Sequence, residues 1–329
     1  MSILDKTTEL AIQEEGLYRK RITIESDRLK KAQQVHALAI NIIPLLGSIA
    51  AIITAFYWGI GIVEVGLFLG MYILTLLGIT VGFHRLFAHG AFQTNTPVKV
   101  ILLILGCMAF QGPVTYWVSN HRRHHQYSDR QGDPHSPYCS ESGEEYFSQI
   151  QGLWNAQIGW MFTHKITNTL LFAKDLLRDK SIAKVNELYY IWVIIGIAIP
   201  TILGGILTGT WKGLLSGFLW GGAVRLFLSY IFTNSINSIT HLYGTRPFNT
   251  REQSTNNIWL AIPTQGESWH NNHHAFPNSA KFGLKWWQID FGYWAIRILQ
   301  FMGLAWNIQS PTTEMIEAKK SGVAEYWDD

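Results

Sequence analysis

Eight of the 12 histidines stand in three short clusters whose spacing suits metal binding. Residues three and four apart share one face of a helix, so the imidazoles of an HxxHH cluster can converge. Adjacent residues are turned by roughly 100° from each other, which lets one cluster serve two metal ions. A five-residue spacing does not fit one helical face, so the HxxxxH pair is expected to straddle the fraying end of a helix. The clusters are His84-x4-His89, His121-x2-His124-His125 and His270-x2-His273-His274.

The number and type of these ligands favour a centre with two metal ions. Imidazole binds iron, copper, nickel and zinc alike, so the ligand type alone does not name the metal. A catalytic zinc takes three protein ligands and a structural zinc four, so eight or more histidines indicate two ions. The HExxH pattern of metalloproteases is absent, because no histidine precedes Glu267 in the stretch before His270. A metal transporter would place its ligands inside membrane spans, whereas these clusters lie beyond the apolar runs.

The composition is typical of a membrane protein. Hydrophobic residues make up 48% of the chain and charged residues 15%, below the roughly 25% of a soluble domain. The net charge is only +3 and the basic residues are scattered, so no nucleic-acid partner is expected. Cys107 and Cys139 form no CxxC pattern, which argues against a disulfide framework or an iron–sulfur cluster.

Four apolar segments are predicted to cross a bilayer as helices. Three carry no charge, and the fourth begins near Gly213, runs toward Tyr243 and contains Arg225. The connectors within each pair are short, so the spans form two hairpins with both chain ends on one side. A charge near mid-bilayer costs about 2.5 kcal/mol or more, so Arg225 is expected to make structural hydrogen bonds within the bundle. The three uncharged runs are Ala37–Trp58, Val65–Phe83 and Leu188–Thr210.

Basic residues are concentrated on one side of this topology. Seven lie before the first span, 10 between the second and third, and 7 after the fourth, whereas the short connectors hold only Lys212. The positive-inside rule makes that side cytoplasmic, and all three histidine clusters lie there. We expect one membrane domain at residues 35–310, between a polar N-terminal arm at 1–34 and a polar C-terminal tail at 311–329.

Two further apolar segments are predicted not to cross the membrane. Val100–Val118 carries no charge, but if it crossed, the first two histidine clusters would lie on opposite sides of the bilayer. Pro113 also breaks its helix, so the segment is expected to lie under a cytoplasmic cap. Trp286–Trp306 contains Asp290 and Arg297, and this pattern predicts an amphipathic helix at the interface.

Four stretches around the histidines resemble the membrane fatty acid desaturases, specifically the stearoyl-CoA desaturase-like group and its bacterial relatives. With the four spans, the resemblance covers the chain from about Ala37 to Trp294. It implies an all-α integral membrane fold in which four transmembrane helices carry a cytoplasmic helical cap with a dinuclear metal site. It also implies a bacterial inner membrane or a thylakoid membrane, with the site facing the cytoplasm. The stretches are GFHRLFAHGAF, HRRHHQYSD followed by GDPHSP, NSINSITHLYG and GESWHNNHHAFP.

The resemblance further implies two iron ions (Fe2+) held by nine histidines and by a water bonded to an asparagine. By position, the ninth ligand is His241 and the asparagine is Asn237. Spacing alone would not select His241, because a lone histidine at a helix end is more often a cap. Three acidic residues beside the clusters are candidates for orienting the imidazoles, although a solvated loop carboxylate is the alternative for each. They are Asp129, Asp133 and Glu267.

The resemblance implies an oxidoreductase that uses O2 and two external electrons to introduce a cis double bond into a saturated acyl chain, with delta-9 as the expected position. Two cysteines cannot hold a ferredoxin cluster, so a separate ferredoxin or cytochrome b5-type donor is expected. A hydroxylase or acetylenase on the same di-iron scaffold is the nearest alternative. A non-enzymatic metal-binding membrane protein is a second one.

The resemblance places two substrate contacts, at Trp117 and Thr233, where the family bends its acyl tunnel. An interfacial aromatic anchor and a packing threonine are the alternative readings. The chain departs from the animal acyl-CoA enzymes just before the second cluster, where Ser119-Asn120 replaces an Arg-Asp pair that contacts coenzyme A. Gly112 likewise replaces an asparagine. The expected partner is therefore a long-chain acyl substrate carried as an acyl-lipid, on acyl carrier protein or on coenzyme A, within membrane lipid.

Overall fold

A computed structural model describes residues 21–146, 148–163 and 165–321, and helices dominate this part of the chain. Of the predicted N-terminal arm and C-terminal tail, residues 1–20 and 322–329 lie outside these ranges. The α-helices are α1 (Asp27–Trp58), α2 (Ile62–Leu77), α3 (Thr96–Cys107), α4 (Val114–Tyr127), α5 (Gln149–Trp154), α6 (Trp160–Thr163), α7 (Thr169–Phe172), α8 (Lys174–Arg178), α9 (Lys180–Glu187), α10 (Tyr189–Thr208), α11 (Trp211–Ser216), α12 (Arg225–Ser238), α13 (His270–Ala275), α14 (Phe291–Phe301) and α15 (Thr313–Lys320).

Wider and tighter helical turns continue several of these helices, and four short strands form two antiparallel pairs. The π-helices are Gly78–Ala88, Asn155–Gly159 and Gly217–Val224, and Ile239–His241 is a 3-10 helix. The strands are β1 (Thr23–Ile24), β2 (Gln93–Thr94), β3 (Ile166–Thr167) and β4 (Ala305–Trp306), with β1 paired to β3 and β2 to β4.

Within the described residues, four continuous helices are long and apolar enough to cross a membrane, which confirms the predicted fold class. The second joins α2 to the first π-helix, and the fourth runs from α11 through the 3-10 turn. Both extend past the apolar runs, because their last turns carry polar residues that are buried by protein. The spans are Asp27–Trp58, Ile62–Ala88, Tyr189–Thr208 and Trp211–His241.

The third and fourth spans pack closely through small residues. A Cβ atom added to Gly204 would lie 2.2 Å from the Gly213 carbonyl oxygen, and one on Gly217 would lie 2.2 Å from that of Pro200. Close backbone approach through glycine is typical of helix pairs in lipid. The opposite face of α10 exposes large aliphatic side chains such as Ile194, as a lipid-facing surface does.

The contested segment at Val100–Val118 does not cross the membrane. Its helix ends at Cys107 and a new one begins at Val114, and between them Phe110 and Gly112 adopt positive φ angles of 60° and 96°. The interruption confirms the sequence expectation. The turn lets α4 bring the second histidine cluster to the same side of the molecule as the first.

The predicted amphipathic segment forms α14. Ile296 is fully buried against Ala91 and Phe92, whereas Phe301 is 94% exposed and Ile298 61% exposed. An exposed apolar face on a surface helix suits the membrane interface. The short β2–β4 pairing ties the end of this helix to the chain that follows the first histidine cluster.

Arg225 is fully buried in the fourth span and hydrogen-bonds backbone carbonyl groups. Its Nη1 donates to the Met108 oxygen at 2.6 Å and its Nη2 to the Gly196 oxygen at 2.9 Å. Gly196 lacks its usual helical donor, because the residue four positions on is Pro200, and Met108 follows the last turn of α3. The guanidinium therefore satisfies two carbonyls that helix geometry leaves unpaired.

We expect Arg225→Leu to lower the thermal unfolding temperature of the detergent-solubilised protein. Each carbonyl left without a donor costs about 1–3 kcal/mol. Arg225→Lys keeps the charge but offers a single donor group, so it should fall between the wild type and the leucine variant. A leucine variant that unfolds at the wild-type temperature would show that this contact is not structural.

Candidate metal centre

Four separate elements bring nine histidines together above the helical bundle. The first cluster ends the second span, the second lies on α4, His241 closes the fourth span, and the third cluster forms α13. The ligating atoms fall into two groups, and within each group they lie within 4.8 Å of one another. One group holds His84, His89, His121, His125 and His273, and the other holds His124, His241, His270 and His274.

Each HxxHH cluster divides between the two groups, as the turn of about 100° between neighbours predicts. On α4, His124 faces one group and His125 the other. On α13, His273 is separated from His274 in the same way. Two short helical segments thus serve both metal positions, and this geometry requires the two positions to be adjacent.

A π-helix places the first pair. The backbone N–H of His89 donates to the His84 oxygen at 3.2 Å, and the two ring centroids lie 5.0 Å apart. The sequence predicted that this pair straddles a fraying helix end, but the end is a regular π-helix. His89 does follow the last helical residue, but the wide turn with its i→i+5 spacing holds both imidazoles in one group.

The distances between ligating nitrogens fit bound metal ions. Two nitrogens that each lie about 2.0–2.1 Å from one ion, at right angles, are about 3 Å apart. In the group of five, the Nε2 atoms of His89 and His121 are separated by 2.8 Å. In the group of four, those of His241 and His270 are separated by 3.1 Å. The Nε2 atoms converge as ligands of a common ion do.

Six imidazoles outside the membrane spans are held neutral, which metal ligation requires. Burial lowers their pKa well below the usual value, and nearby imidazoles lower it further. Neutral imidazole suits iron, copper, nickel or zinc. The residues whose pKa is lowered in this way are His89, His121, His125, His270, His273 and His274.

The three carboxylates singled out in the sequence each contact a cluster histidine. Asp133 accepts from Nδ1 of His124 at 3.0 Å, and Asp129 accepts from Nδ1 of His241 at 2.8 Å. Glu267 makes a short contact with Nδ1 of His84. Burial alone would raise the pKa of Asp133, but His124 and neighbouring groups hold it well below its usual range. These carboxylates are not solvated loop groups, and because they occupy Nδ1 of each ring they leave Nε2 as the atom that could bind a metal.

Three further contacts, made by Glu252 and Arg85, were not found from the sequence. Glu252 is buried, with an oxygen 3.6 Å from Nδ1 of His274. Arg85 is fully buried, and its Nη2 lies 3.1 Å from Glu267 and 2.8 Å from Asp290. Arg85 directly follows His84, so its charge at the end of an apolar run was a sequence signal of a contact with the site. No feature of the sequence around Glu252 indicated its contact with His274.

A cavity of about 70 Å³ runs from the histidines down between the spans. Its wall includes His84 and His121 from one group and His270 from the other. Asn237, expected to bond a water ligand, lies in the same wall. The rest of the lining includes apolar side chains of the spans, such as Ile40 and Leu76.

Both predicted substrate residues line this cavity. The Trp117 ring stacks on His121, with centroids 5.0 Å apart and planes inclined by 20°. Thr233 accepts a hydrogen bond from the side-chain amide of Gln111 at 3.0 Å. Both residues therefore lie where they could contact a chain bound in the cavity.

The Ser119-Asn120 pair does not reach the surface. Ser119 donates to the Thr115 carbonyl at 2.7 Å, and Asn120 accepts from the Thr167 hydroxyl at 2.6 Å. The two residues are 1% and 4% exposed. Neither side chain is therefore available to a soluble head group.

Known proteins match most of this chain. Residues 58–306 match the family described as fatty acid desaturase. The chain is 52% identical over 302 residues to the hex-5-enoyl-[acyl-carrier protein] acetylenase of Moorena producens (strain JHB), covering 92% of this chain and 94% of that protein. It is 36% identical to the sn-1 stearoyl-lipid 9-desaturase of Anabaena variabilis, covering 80% and 89%. It is 38% identical to the icosanoyl-CoA 5-desaturase of Limnanthes douglasii, covering 72% and 62%. The four membrane-type helices, the two histidine groups and these matches together show that the chain belongs to the fatty acid desaturase family of multi-pass membrane oxidoreductases.

Proposed function

We propose that this protein binds two Fe2+ ions in its histidine groups and uses O2 to remove two hydrogens from adjacent carbons of a fatty acyl chain. The observation that carries the proposal is the shared cavity, because its wall contains histidines of both groups. An acyl chain in this cavity would contact His121 on one side and His270 on the other. Bound iron would supply the oxygen activation that attack on an unactivated C–H bond requires.

The reaction balances with two electrons from outside the chain. A –CH2–CH2– pair, one O2, two electrons and two protons give –CH=CH– and two waters. The described residues offer no redox cofactor site besides the histidine groups, and Cys107 and Cys139 are separate buried thiols. A separate ferredoxin or cytochrome b5-type protein is the proposed donor.

The side chains of this protein orient the ligands and the substrate. Asp129, Asp133 and Glu267 accept Nδ1–H bonds, which directs the Nε2 lone pairs toward the metal positions. The Trp117 ring covers His121 on the cavity side and limits how closely a chain can approach it. Asn237 faces the same cavity and is proposed to hold the water ligand beside the group of four histidines.

We propose acyl carrier protein as the carrier of the substrate. The relative that is 52% identical acts, by its name, on an acyl chain borne by acyl carrier protein. The burial of Ser119 and Asn120 removes the coenzyme A contact expected in the animal enzymes. Acyl-lipid and acyl-CoA are the alternatives, since named relatives act on each.

The position of the new bond does not follow from the family. The names of the three relatives described above place their bonds at positions 5 and 9. The delta-9 expectation therefore gains no support over position 5. A second candidate function is acetylenation, in which the same two-hydrogen removal converts an existing –CH=CH– into a triple bond. The 52% identical acetylenase favours it.

We propose that the histidine groups face the cytoplasm, in a bacterial inner or thylakoid membrane. The basic residues on the histidine side support this orientation, since the turns on the opposite side hold only Lys212.

Incubation with matched substrates tests the function. The purified, iron-loaded protein would receive reduced ferredoxin and either stearoyl or cis-octadecenoyl acyl carrier protein, with hexanoyl and hex-5-enoyl forms in parallel. Mass spectrometry should find alkenes from the saturated chains for a desaturase, or alkynes from the unsaturated chains for an acetylenase. Hydroxylated chains, or no product from a fully loaded and reduced protein, would contradict both functions.

We expect Thr233→Val to change the position of the new bond without loss of metal. The substitution removes the acceptor of the Gln111 amide and leaves a buried donor unpaired, at a cost of about 1–3 kcal/mol. The cavity wall should shift, and the ratio of positional isomers with it. Thr201→Val is the matched control, because Thr201 bonds the Ile197 carbonyl in α10, away from the cavity. An unchanged isomer ratio would argue against a substrate role for Thr233.

A further inference from the structure

A second, larger opening reaches the metal centre from the side away from the bundle cavity. It is a cleft of about 670 Å³, and its floor contains His89, His125 and His274. His89 and His125 are partly buried residues, whereas the side chain of His274 is only 3% exposed. The cleft therefore lies against imidazoles of both groups, and the partly exposed histidines among them belong to the group of five.

The cleft and the bundle cavity share no residue. The cavity meets His84, His121 and His270, whereas the cleft meets a different three histidines. The two sets belong to the same metal groups, so the metal centre lies between the two openings. A chain bound in the cavity leaves the cleft free, and a partner in the cleft does not obstruct the chain.

Positive charge dominates the rim of the cleft. Arg122, Arg130 and Arg251 line it. Arg122 is paired with Asp175, but in the described part of the chain neither Arg130 nor Arg251 has a carboxylate within ion-pair distance, and both are exposed. The carboxylate in the lining, Glu252, is buried and bonded to Ser254. The unneutralised charge suits an acidic partner.

We infer that this cleft is the docking site of an acidic one-electron carrier protein, and the inference rests on the proposed function. Each turnover would take two encounters, in each of which the carrier gives up one electron, and the imidazoles that line the cleft lie between the carrier and the metal positions. Electron-transfer partners typically use small interfaces and charge steering, which a basic rim beside these imidazoles provides.

An acidic acyl carrier protein is the rival occupant of the cleft. Its acyl chain would have to reach the bundle cavity, but the imidazoles and metal positions stand between the two openings. A carrier seated in the cleft would therefore hold its chain on the wrong side of the ligands. The separation of the openings favours the electron donor.

Rapid-mixing kinetics with a plant-type [2Fe–2S] ferredoxin as the probe tests this inference. The test uses the full-length, iron-loaded protein in lipid nanodiscs. The double variant Arg130→Glu and Arg251→Glu should slow oxidation of reduced ferredoxin by about tenfold or more at low salt, and the difference should shrink as salt rises. Lys285→Glu is the matched control, since Lys285 is exposed but does not line the cleft.

Two additional readouts separate the possible outcomes. Reduction by dithionite and iron content should be unchanged in the double variant, which shows that it is folded and loaded. An unchanged ferredoxin rate would overturn the inference, and so would a higher KM for acyl carrier protein substrate in dithionite-driven turnover with a normal ferredoxin rate. If ferredoxin reduces the wild type through the cleft but no acyl product forms, the proposed function fails while the docking site stands.

Discussion

Replacing His273 by alanine is expected to reduce bound iron from two ions to one per chain and to remove product formation by more than about 100-fold. The Nε2 atom of His273 lies 3.0 Å from that of His84 and 2.9 Å from that of His125, so it stands among the ligands of the group of five. The side chain is fully buried. Removing a ligand is expected to lower metal affinity and activity by more than the 10–100-fold typical of a residue that only supports a ligand. Elemental analysis after anaerobic loading, with product analysis, measures both effects.

The control for this substitution is His36→Gln. His36 packs edge-on against Phe110 at 4.9 Å and belongs to neither histidine group. It should keep two irons and full activity. If His273→Ala also retained two irons, the assignment of the group of five would be wrong.

Replacing Glu267 by glutamine is expected to weaken metal binding in the group of five by about 10–100-fold. The glutamate bridges two donors, Nδ1 of His84 and the guanidinium of Arg85, and Arg85 is bonded in turn to Asp290. A glutamine offers one acceptor and one donor, so its NH2 group must face either Arg85 or the imidazole. Either arrangement turns His84 or leaves Arg85 with only part of its neutralising charge in a buried site.

The two metal positions can be titrated separately to measure this effect. Glu252→Gln is the matched comparison, because Glu252 lies beside His274 in the group of four. The Glu267 variant should weaken one binding step and the Glu252 variant the other. If the Glu267→Gln variant bound both metal ions with the affinities of the wild type, the Glu267 carboxylate would not support the ligands.

The membrane architecture could be predicted from local sequence, because a bilayer span needs about 20 apolar residues. The run at Leu188–Thr210 matches its helix closely. The run at Ala37–Trp58 ends where its helix ends, but the helix begins earlier, at Asp27. The second span continues to Ala88, beyond the predicted end at Phe83, because His84 and Arg85 are buried against the cap instead of facing lipid. A prediction from hydropathy ends a span at such polar residues, because it does not take into account that protein contacts bury them.

The metal centre was predictable only in part. The division of His124 and His125 between two groups follows from helix geometry. His241 came from resemblance to a family, since its neighbours in sequence contain no other ligand. The buried pair formed by Arg85 and Asp290 joins residues that are distant in sequence, as does the contact of Glu252 with His274. Such partners meet only through the fold, so spacing could not reveal them.

Iron-edge anomalous diffraction from crystals of the anaerobically loaded protein tests the central claim most directly. The account predicts two peaks per chain, one surrounded by His84, His89, His121, His125 and His273 and the other by His124, His241, His270 and His274. A single peak, or a second peak outside these imidazoles, would contradict it.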